Sequence, residues 1–279
     1  IARATELLWA SLFPGHPYGL PRLGSADVVK GINEAALEAW HGKTIKRQYP
    51  MVLLVGDTDG SALVSRIFSE GLKRGDLDKT LKVNLPNQYA APEDKIEQRQ
   101  RVATTQAVGF RLAPATPSQT SQSSSQADEQ AVLAMLTQIA SLGKINEEMR
   151  GNLGLVDSLT IKTDPRLAAS LFLARFATTP ENEAKAREAF QAELLKLAAA
   201  PPTDEEFEQG RNATIGRYFI SLQRHPARAL EYARAVIFNR KPSDVESQPD
   251  LLRAIKKADI KRIAEKLNQP GRGVVQAGK

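Results

Sequence analysis

Residues 33–57 read NEAALEAWHGKTIKRQYPMVLLVGD, and residues 259–279 read DIKRIAEKLNQPGRGVVQAGK. Each stretch is a helix with a polar face, a short turn containing Pro, an apolar strand and then Gly. An ending that recurs within one chain marks a fold unit used twice. The spacing therefore predicts two lobes of one kind. The first lobe has almost nothing ahead of its ending, so the chain, which opens on Ile1, reads as the back part of a larger two-lobed assembly.

Outward from those two endings, residues 3–13 read as a helix stopped by Pro14 and Gly15. Residues 27–42 carry Val28, Ile32, Ala36, Leu37 and Trp40 toward a core. The continuous apolar run at 51–55 predicts a strand buried on both faces, and Leu63, Val64, Ile67, Phe68 and Leu72 share one helical face. Residues 86–99 have two prolines and no apolar period, the pattern of a linker. Beyond it, 102–112 reads as a strand and TPSQTSQSSSQ (116–126) as a mobile polar loop. An amphipathic helix is expected at 128–142 and an antiparallel strand pair at 155–162 and 168–178.

Thr179-Pro180-Glu181 has the form of a helix start, with Ala186, Phe190, Leu194 and Leu197 running down one face. Thr203 and Glu206 form a capping box before a helix whose apolar side holds Phe207, Ile215, Tyr218, Phe219 and Leu222. Helices at 226–240 and 249–267 precede a closing strand at 273–277. Strands, then helices, then a final strand specify an α+β lobe with helices packed on one face of a mostly antiparallel sheet. The division is 1–85 (the carboxyl-terminal part of a first lobe), 86–99 (linker) and 100–279 (a second, complete lobe).

The chain has 279 residues, 42% of them hydrophobic, enough for two modest domains. No apolar run approaches the ~18 residues of a membrane span, and no signal peptide stands at the start. With no Cys, disulfides, thiolate metal sites and a thiol nucleophile are excluded. The net charge is +6, but its densest cluster (Arg253, Lys256, Lys257, Lys261, Arg262, Lys266) alternates with Leu252, Ile255, Ile263 and Leu267. That is a solvated helix face over an apolar stripe, and no nucleic-acid partner is expected.

The three histidines, His16, His41 and His225, have no metal-ligating spacing. His16 is expected to shape the turn before Pro17, His41 to sit near a helix end, and His225 at a helix start. GDTDG at 56–60 lacks both a dinucleotide fingerprint and calcium-loop spacing, so Asp57 or Asp59 is expected as a helix cap. No Gly-x-Ser-x-Gly occurs, and no catalytic constellation is complete.

Five stretches in order, FPGHPYGLPRLG (13–24), MVLLVGDTDG (51–60), MRGNLGLVDS (149–158), TDPRLAASLFLARFATTPENEAKAREAF (163–190) and PPTDEEFEQGRNATIGRYF (201–219), resemble the pitrilysin/insulinase family of zinc metallopeptidases. The resemblance runs over nearly the whole chain and implies paired α+β lobes around a peptide-holding chamber. In the family an inverted H-x-x-E-H motif and a later Glu bind zinc. Nothing here matches that motif, so the resemblance implies no catalytic and no metal residues in this chain, with zinc carried by a parent or partner. The family also uses an Arg and a Tyr, in a segment shaped like L-R-x-x-x-G-L-x-Y, to hold substrate and stabilise the oxyanion. Arg150 matches the Arg, and Asp157 stands in place of the Tyr. A carboxylate has no proton to donate to a developing oxyanion and repels it.

The expectation is a non-zinc-binding portion of a pitrilysin/insulinase-type peptidase that walls the chamber. It is inactive alone, and it is partnered by a zinc-bearing lobe or subunit and by a peptide substrate, with Arg150 on the substrate. The alternative is a noncatalytic family member acting as scaffold or partner subunit, which the Asp157 departure favours. Bacterial relatives of this type imply a periplasmic location.

Overall fold

The computed structural model of the protein describes residues 2–45, 51–57, 59–71, 95–97, 104–112, 124–167, 169–238, 240–267 and 273–278. In chain order the elements are helices α1 (Ala2–Leu12), α2 (Ala26–Lys30), α3 (Glu34–Thr44) and α4 (Gly60–Arg66), strands β1 (Lys95–Glu97) and β2 (Thr104–Leu112), and helices α5 (Ser124–Leu142) and α6 (Lys144–Asn146). Strands β3 (Ser158–Pro165) and β4 (Ser170–Thr178) follow, then α7 (Glu183–Ala199), α8 (Asp204–Leu222), α9 (His225–Ile237), α10 (Ser243–Ala254) and α11 (Lys257–Leu267), and finally β5 (Gly273–Gly278). Residues of 1–20, 86–219 and 246–279 make one compact unit, and those of 21–85 and 220–245 a second.

The first unit is built on a five-stranded sheet in the order β1-β5-β2-β4-β3. Its pairs are antiparallel, with Gly109 opposite Leu173, Ser158 opposite Ala177 and Thr104 opposite Gly278, except for β1, which runs parallel to β5. Strand β4, SLFLARFAT, is apolar on both faces, and side chains alternate across a strand. Phe172, Ala174 and Phe176 point into a core made with Ile161 of β3, Leu133, Leu136 and Ile139 of α5, Phe190 of α7 and Ile263 of α11. Leu171 and Leu173 point the other way, with Ala169, against Leu8, Leu12 and the adjoining Phe13. Helix α1 thus covers the second face. Helices on one face only was the sequence expectation. The structure corrects it, because a strand apolar on both sides needs cover on both.

Polar pairings link these layers. Glu129 of α5 pairs with Lys266 and, at 3.5 Å, with Arg262 of α11. Arg166, in the β3–β4 turn, pairs with Asp164 at 2.8 Å and lies 4.9 Å from the Trp9 ring centre. The capping box at the start of α8 forms as read: Thr203 N–H donates to Glu206 Oε2 (2.8 Å) and Glu206 N–H to Thr203 Oγ1 (3.2 Å). Arg211 of α8 donates to the Ile255 carbonyl at 3.1 Å and lies 4.6 Å from the Phe207 ring centre, tying α8 to the end of α10.

In the second unit, Ser25, Asn33 and Asp59 cap α2, α3 and α4 through side-chain oxygens that accept from Val28, Ala36 and Ser61 N–H groups. Of the two capping candidates in GDTDG, Asp59 takes the role, and α4 runs on into a π-turn at Ile67–Gly71. Val28, Ile32, Leu37 and Trp40, expected in a core, are exposed.

Other differences have local causes. Residues 51–55 form no strand; a strand holds only by hydrogen bonding to a neighbour, and no pairing of this run is found among the described residues. Within the expected linker, 95–97 is strand β1, and the rest of 86–99 lies outside the described residues. Of the expected loop at 116–126, residues 124–126 begin α5 and the remainder lies outside the described residues. The helix expected at 249–267 is two helices, because the Asp259 carboxylate accepts the Lys256 N–H at 3.0 Å and starts a new one, while Pro249 lies inside α10. At Thr179 the hydroxyl caps nothing, and the chain enters α7 through a 3-10 turn at Pro180–Asn182.

Helices α5 and α8 meet at Gly210, where a Cβ would lie 2.3 Å from Ile139 Cγ1, whereas a Cβ at Gly216 of the same helix meets nothing within 4 Å. Gly210→Ala is expected to destabilise by about 1–3 kcal/mol through overpacking. Gly216→Ala should stabilise by up to about 1 kcal/mol through helix propensity, and urea unfolding of the pair checks both. Hydrogen bonds from the Ser61 hydroxyl and then its N–H hold the Asp59 carboxyl below its ordinary 3.8. A lowered folded-state value means the contribution is complete above the unfolded value and is lost as pH falls through the folded one. Asp59→Ala is expected to remove that acid-side slope from a pH series of unfolding midpoints.

Candidate functional site

The segment carrying Arg150 leaves α6 as a π-turn, Glu147–Asn152. Met149 is fully buried and anchors the turn in the core. Its carbonyl accepts the Leu155 N–H at 2.9 Å, and the Glu148 carbonyl accepts the Leu153 N–H at 2.9 Å. Gly154 sits at φ +58, a left-handed conformation that suits Gly and lets the chain reverse into β3. The reversal is fastened to β4 twice: Thr178 Oγ1 donates to the Leu155 carbonyl at 2.6 Å, and Asp157 N–H donates to the Ala177 carbonyl at 2.9 Å. Asn152 Nδ2 closes on Glu148 Oε2 at 2.6 Å.

Arg150, next to the buried Met149, is exposed and makes no ion pair among the described residues. Asp157, also exposed, begins the approach to β3 beside the buried Val156. The turn thus holds the backbone at Arg150 while leaving its guanidinium to solvent, where it can meet a carbonyl or carboxylate. Close by in sequence, Glu148 lends charge to Lys196. Lys196 pairs with the largely buried Glu193 at 2.5 Å, and its pKa is raised, first by that hydrogen bond.

The histidines take structural places. His16 is buried, and its Nδ1 accepts the Tyr18 N–H at 3.0 Å, capping the 3-10 turn Pro17–Gly19. Its ring lies 5.5 Å from Phe13 and 4.7 Å from Tyr18. His41 is in the last turn of α3, and His225 opens α9 ahead of Pro226. Among the described residues no group of three or more His, Cys, Asp or Glu is placed to hold a metal ion. The donor set a zinc ion requires is therefore not assembled by them.

One concavity escaped the sequence reading. Thr137 and Gln138 of α5, Thr163 of β3, Thr214 and Tyr218 of α8 and Gln248 of α10 line a cavity of about 310 Å³. Thr137 and Thr214 donate back to carbonyls four residues earlier, and Gln138 Oε1 is buried without a hydrogen-bond partner. The signal was present in VLAMLTQIASL, where a Thr-Gln pair interrupts an apolar helix.

With the geometry in place, comparison with known proteins is informative. The profile of a family described as the peptidase M16 inactive domain matches residues 31–214. No curated protein matches the chain. Among solved structures, a peptidase M16 inactive domain from Pseudomonas fluorescens superposes with a TM-score of 0.76 at 17% identity, covering 99% of this chain and 65% of that one. A protease from Helicobacter pylori gives 0.78 at 16% identity, covering 98% and 65%. A putative M16-like peptidase from Alicyclobacillus acidocaldarius gives 0.75 at 14% identity, covering 99% and 65%. At these identities the likeness is one of fold, and the chain spans about 65% of the length of each of these solved chains. The family profile covers well over half of the sequence, in the region that includes the Arg150 turn, β3, β4 and α7. The chain belongs to the peptidase M16 inactive-domain family, a carboxyl-terminal part of the pitrilysin/insulinase peptidases.

Proposed function

We propose that the chain is one wall of a peptide-holding chamber in a zinc peptidase of the M16 type. The end of one lobe (1–85) and a following lobe (100–279) form that wall. Cleavage requires a zinc-bearing lobe of the same family, joined upstream or supplied as a separate subunit. By family resemblance the zinc belongs to that lobe, where it would supply Lewis-acid polarisation and activation of water. This chain's share is binding and orientation.

The observation that carries this reading is Arg150, an exposed guanidinium on a turn pinned by buried Met149 and by Thr178. A cation held on a fixed backbone aligns a substrate carbonyl or terminal carboxylate at little further ordering cost. Asp157 supports the second reading, a family member that assists as scaffold or partner subunit without stabilising the transition state. A carboxylate there has no proton to give the oxyanion.

The test uses the assembled protein acting on a fluorogenic peptide. Arg150→Ala is expected to raise KM about tenfold, ~1.4 kcal/mol of binding, while leaving the unfolding midpoint unchanged. Unchanged KM would remove the substrate role and leave the scaffold. Asp157→Tyr adds a phenol donor, and if position 157 faces the reacting carbonyl, kcat is expected to rise by up to about 10²-fold. The isolated chain is expected to retain no stoichiometric zinc after equilibrium dialysis and to cleave nothing. Retained zinc with activity would overturn the assignment of the metal to another lobe.

A further inference from the structure

The cavity bounded by α5, β3, α8 and α10 has a lining that sorts by chemistry. Its described lining residues all belong to the first compact unit, and its volume of about 310 Å³ is that of a small-molecule site. Thr137 and Gln138 of α5 and Thr214 of α8 are buried. Both threonine hydroxyls donate their protons to helix carbonyls, Thr137 to Leu133 at 2.8 Å and Thr214 to Gly210 at 2.6 Å. Each therefore has only acceptor lone pairs left to offer a ligand. Gln138 is 8% exposed, and its Oε1 has no hydrogen-bond partner. A buried acceptor left in that state calls for a donor.

The charged part of the lining is of one sign. Lys162 of β3 and Arg217 of α8 are exposed, and neither makes an ion pair among the described residues. No Asp or Glu stands among the described residues of the lining. Ile161 and Leu252 add buried apolar surface. Buried acceptors and exposed, unopposed cations ask for a ligand with two unlike ends. Three acceptor oxygens match the three protons of an ammonium group, which leaves water only where those protons are met. A carboxylate answers Arg217 as a fork and Lys162 as a point charge. An anion alone would leave Gln138 Oε1 unpaired, and a simple amine would leave both cations unopposed.

We propose that this cavity binds a small zwitterion, a free α-amino acid or a dipeptide, with its ammonium on Thr137, Gln138 and Thr214, its carboxylate on Arg217 and Lys162, and an apolar side chain against Ile161 and Leu252. The site stands apart from the chamber reading. It needs no zinc, no second lobe and nothing from Arg150.

The test is isothermal titration calorimetry of the full 279-residue chain with L-leucine and with L-alanyl-L-leucine. Each is compared with its carboxamide, which lacks the carboxylate, and with its N-acetyl form, which lacks the ammonium. At least one zwitterion is expected to bind one to one, leucine marking a free amino acid and alanyl-leucine a dipeptide. Each blocked form should bind weaker by about tenfold or more. Arg217→Ala changes an exposed side chain, so the unfolding midpoint should hold while affinity for the zwitterion falls about tenfold and affinity for the carboxamide stays the same. Gln138→Met keeps the length of the side chain without the amide, and it should abolish binding with the unfolding midpoint kept or raised. Where that variant does not fold, Arg217→Ala decides alone. Failure of both zwitterions to bind at millimolar concentration would overturn the site. So would binding that the N-acetyl form or inorganic phosphate equals, or that Arg217→Ala leaves unchanged.

Discussion

Strand β4 must bury both of its faces, and the first unit is arranged to let it do so. Phe172 and Phe176 on one side and Leu171 and Leu173 on the other are almost wholly withdrawn from water. Burying a large apolar side chain stabilises by roughly 1.5–3 kcal/mol, so leaving either face open would forfeit several such contributions at once. Helices α5, α7 and α11 answer the aromatic face, and α1 answers the other. The position of β4 between β2 and β3 follows, since a strand sealed on both faces also needs hydrogen-bonding neighbours on both edges.

The Arg150 turn shares that rigidity. The turn is fastened to β4 through Thr178 and Ala177, the end of the most constrained strand, and its inner side chain, Met149, is part of the same core. An exposed guanidinium on a loose loop would lose side-chain and backbone freedom on binding, a cost of a kcal/mol or more per ordered residue. Here the backbone share is met by folding, and only the rotamers of Arg150 remain to be ordered. Arg166, Arg211, Arg234 and Arg253, by contrast, are held by carboxylates on their own turn or helix.

The two compact units differ in physical character. One has a sheet with apolar clusters on both faces, while the other holds the short capped helices α2, α3 and α4 together with α9, with few buried side chains among its described residues. Capping satisfies the first N–H groups of a helix but contributes only about 1 kcal/mol apiece, and helices this short owe most of their stability to a buried face. Among its described residues the second unit therefore has more local order than buried apolar packing.

The sequence by itself determined whatever depends on local spacing. The β3–β4 pair, the amphipathic faces of α5 and α7, the capping box of Thr203 and Glu206, a cap within Asp57–Asp59 and the turn-shaping place of His16 follow from periods of two or 3.6 and from short-range hydrogen bonds. Only the tertiary structure decided matters that depend on what lies across space. It put α1 on the second face of the sheet and gathered Gln138, Thr163, Thr214 and Gln248 around one cavity, while Leu37 and Trp40 stayed exposed. An apolar stretch states that a segment should be buried, but which surface covers it depends on what lies across space: α1 meets β4, and the apolar positions of α3 meet no such face among the described residues.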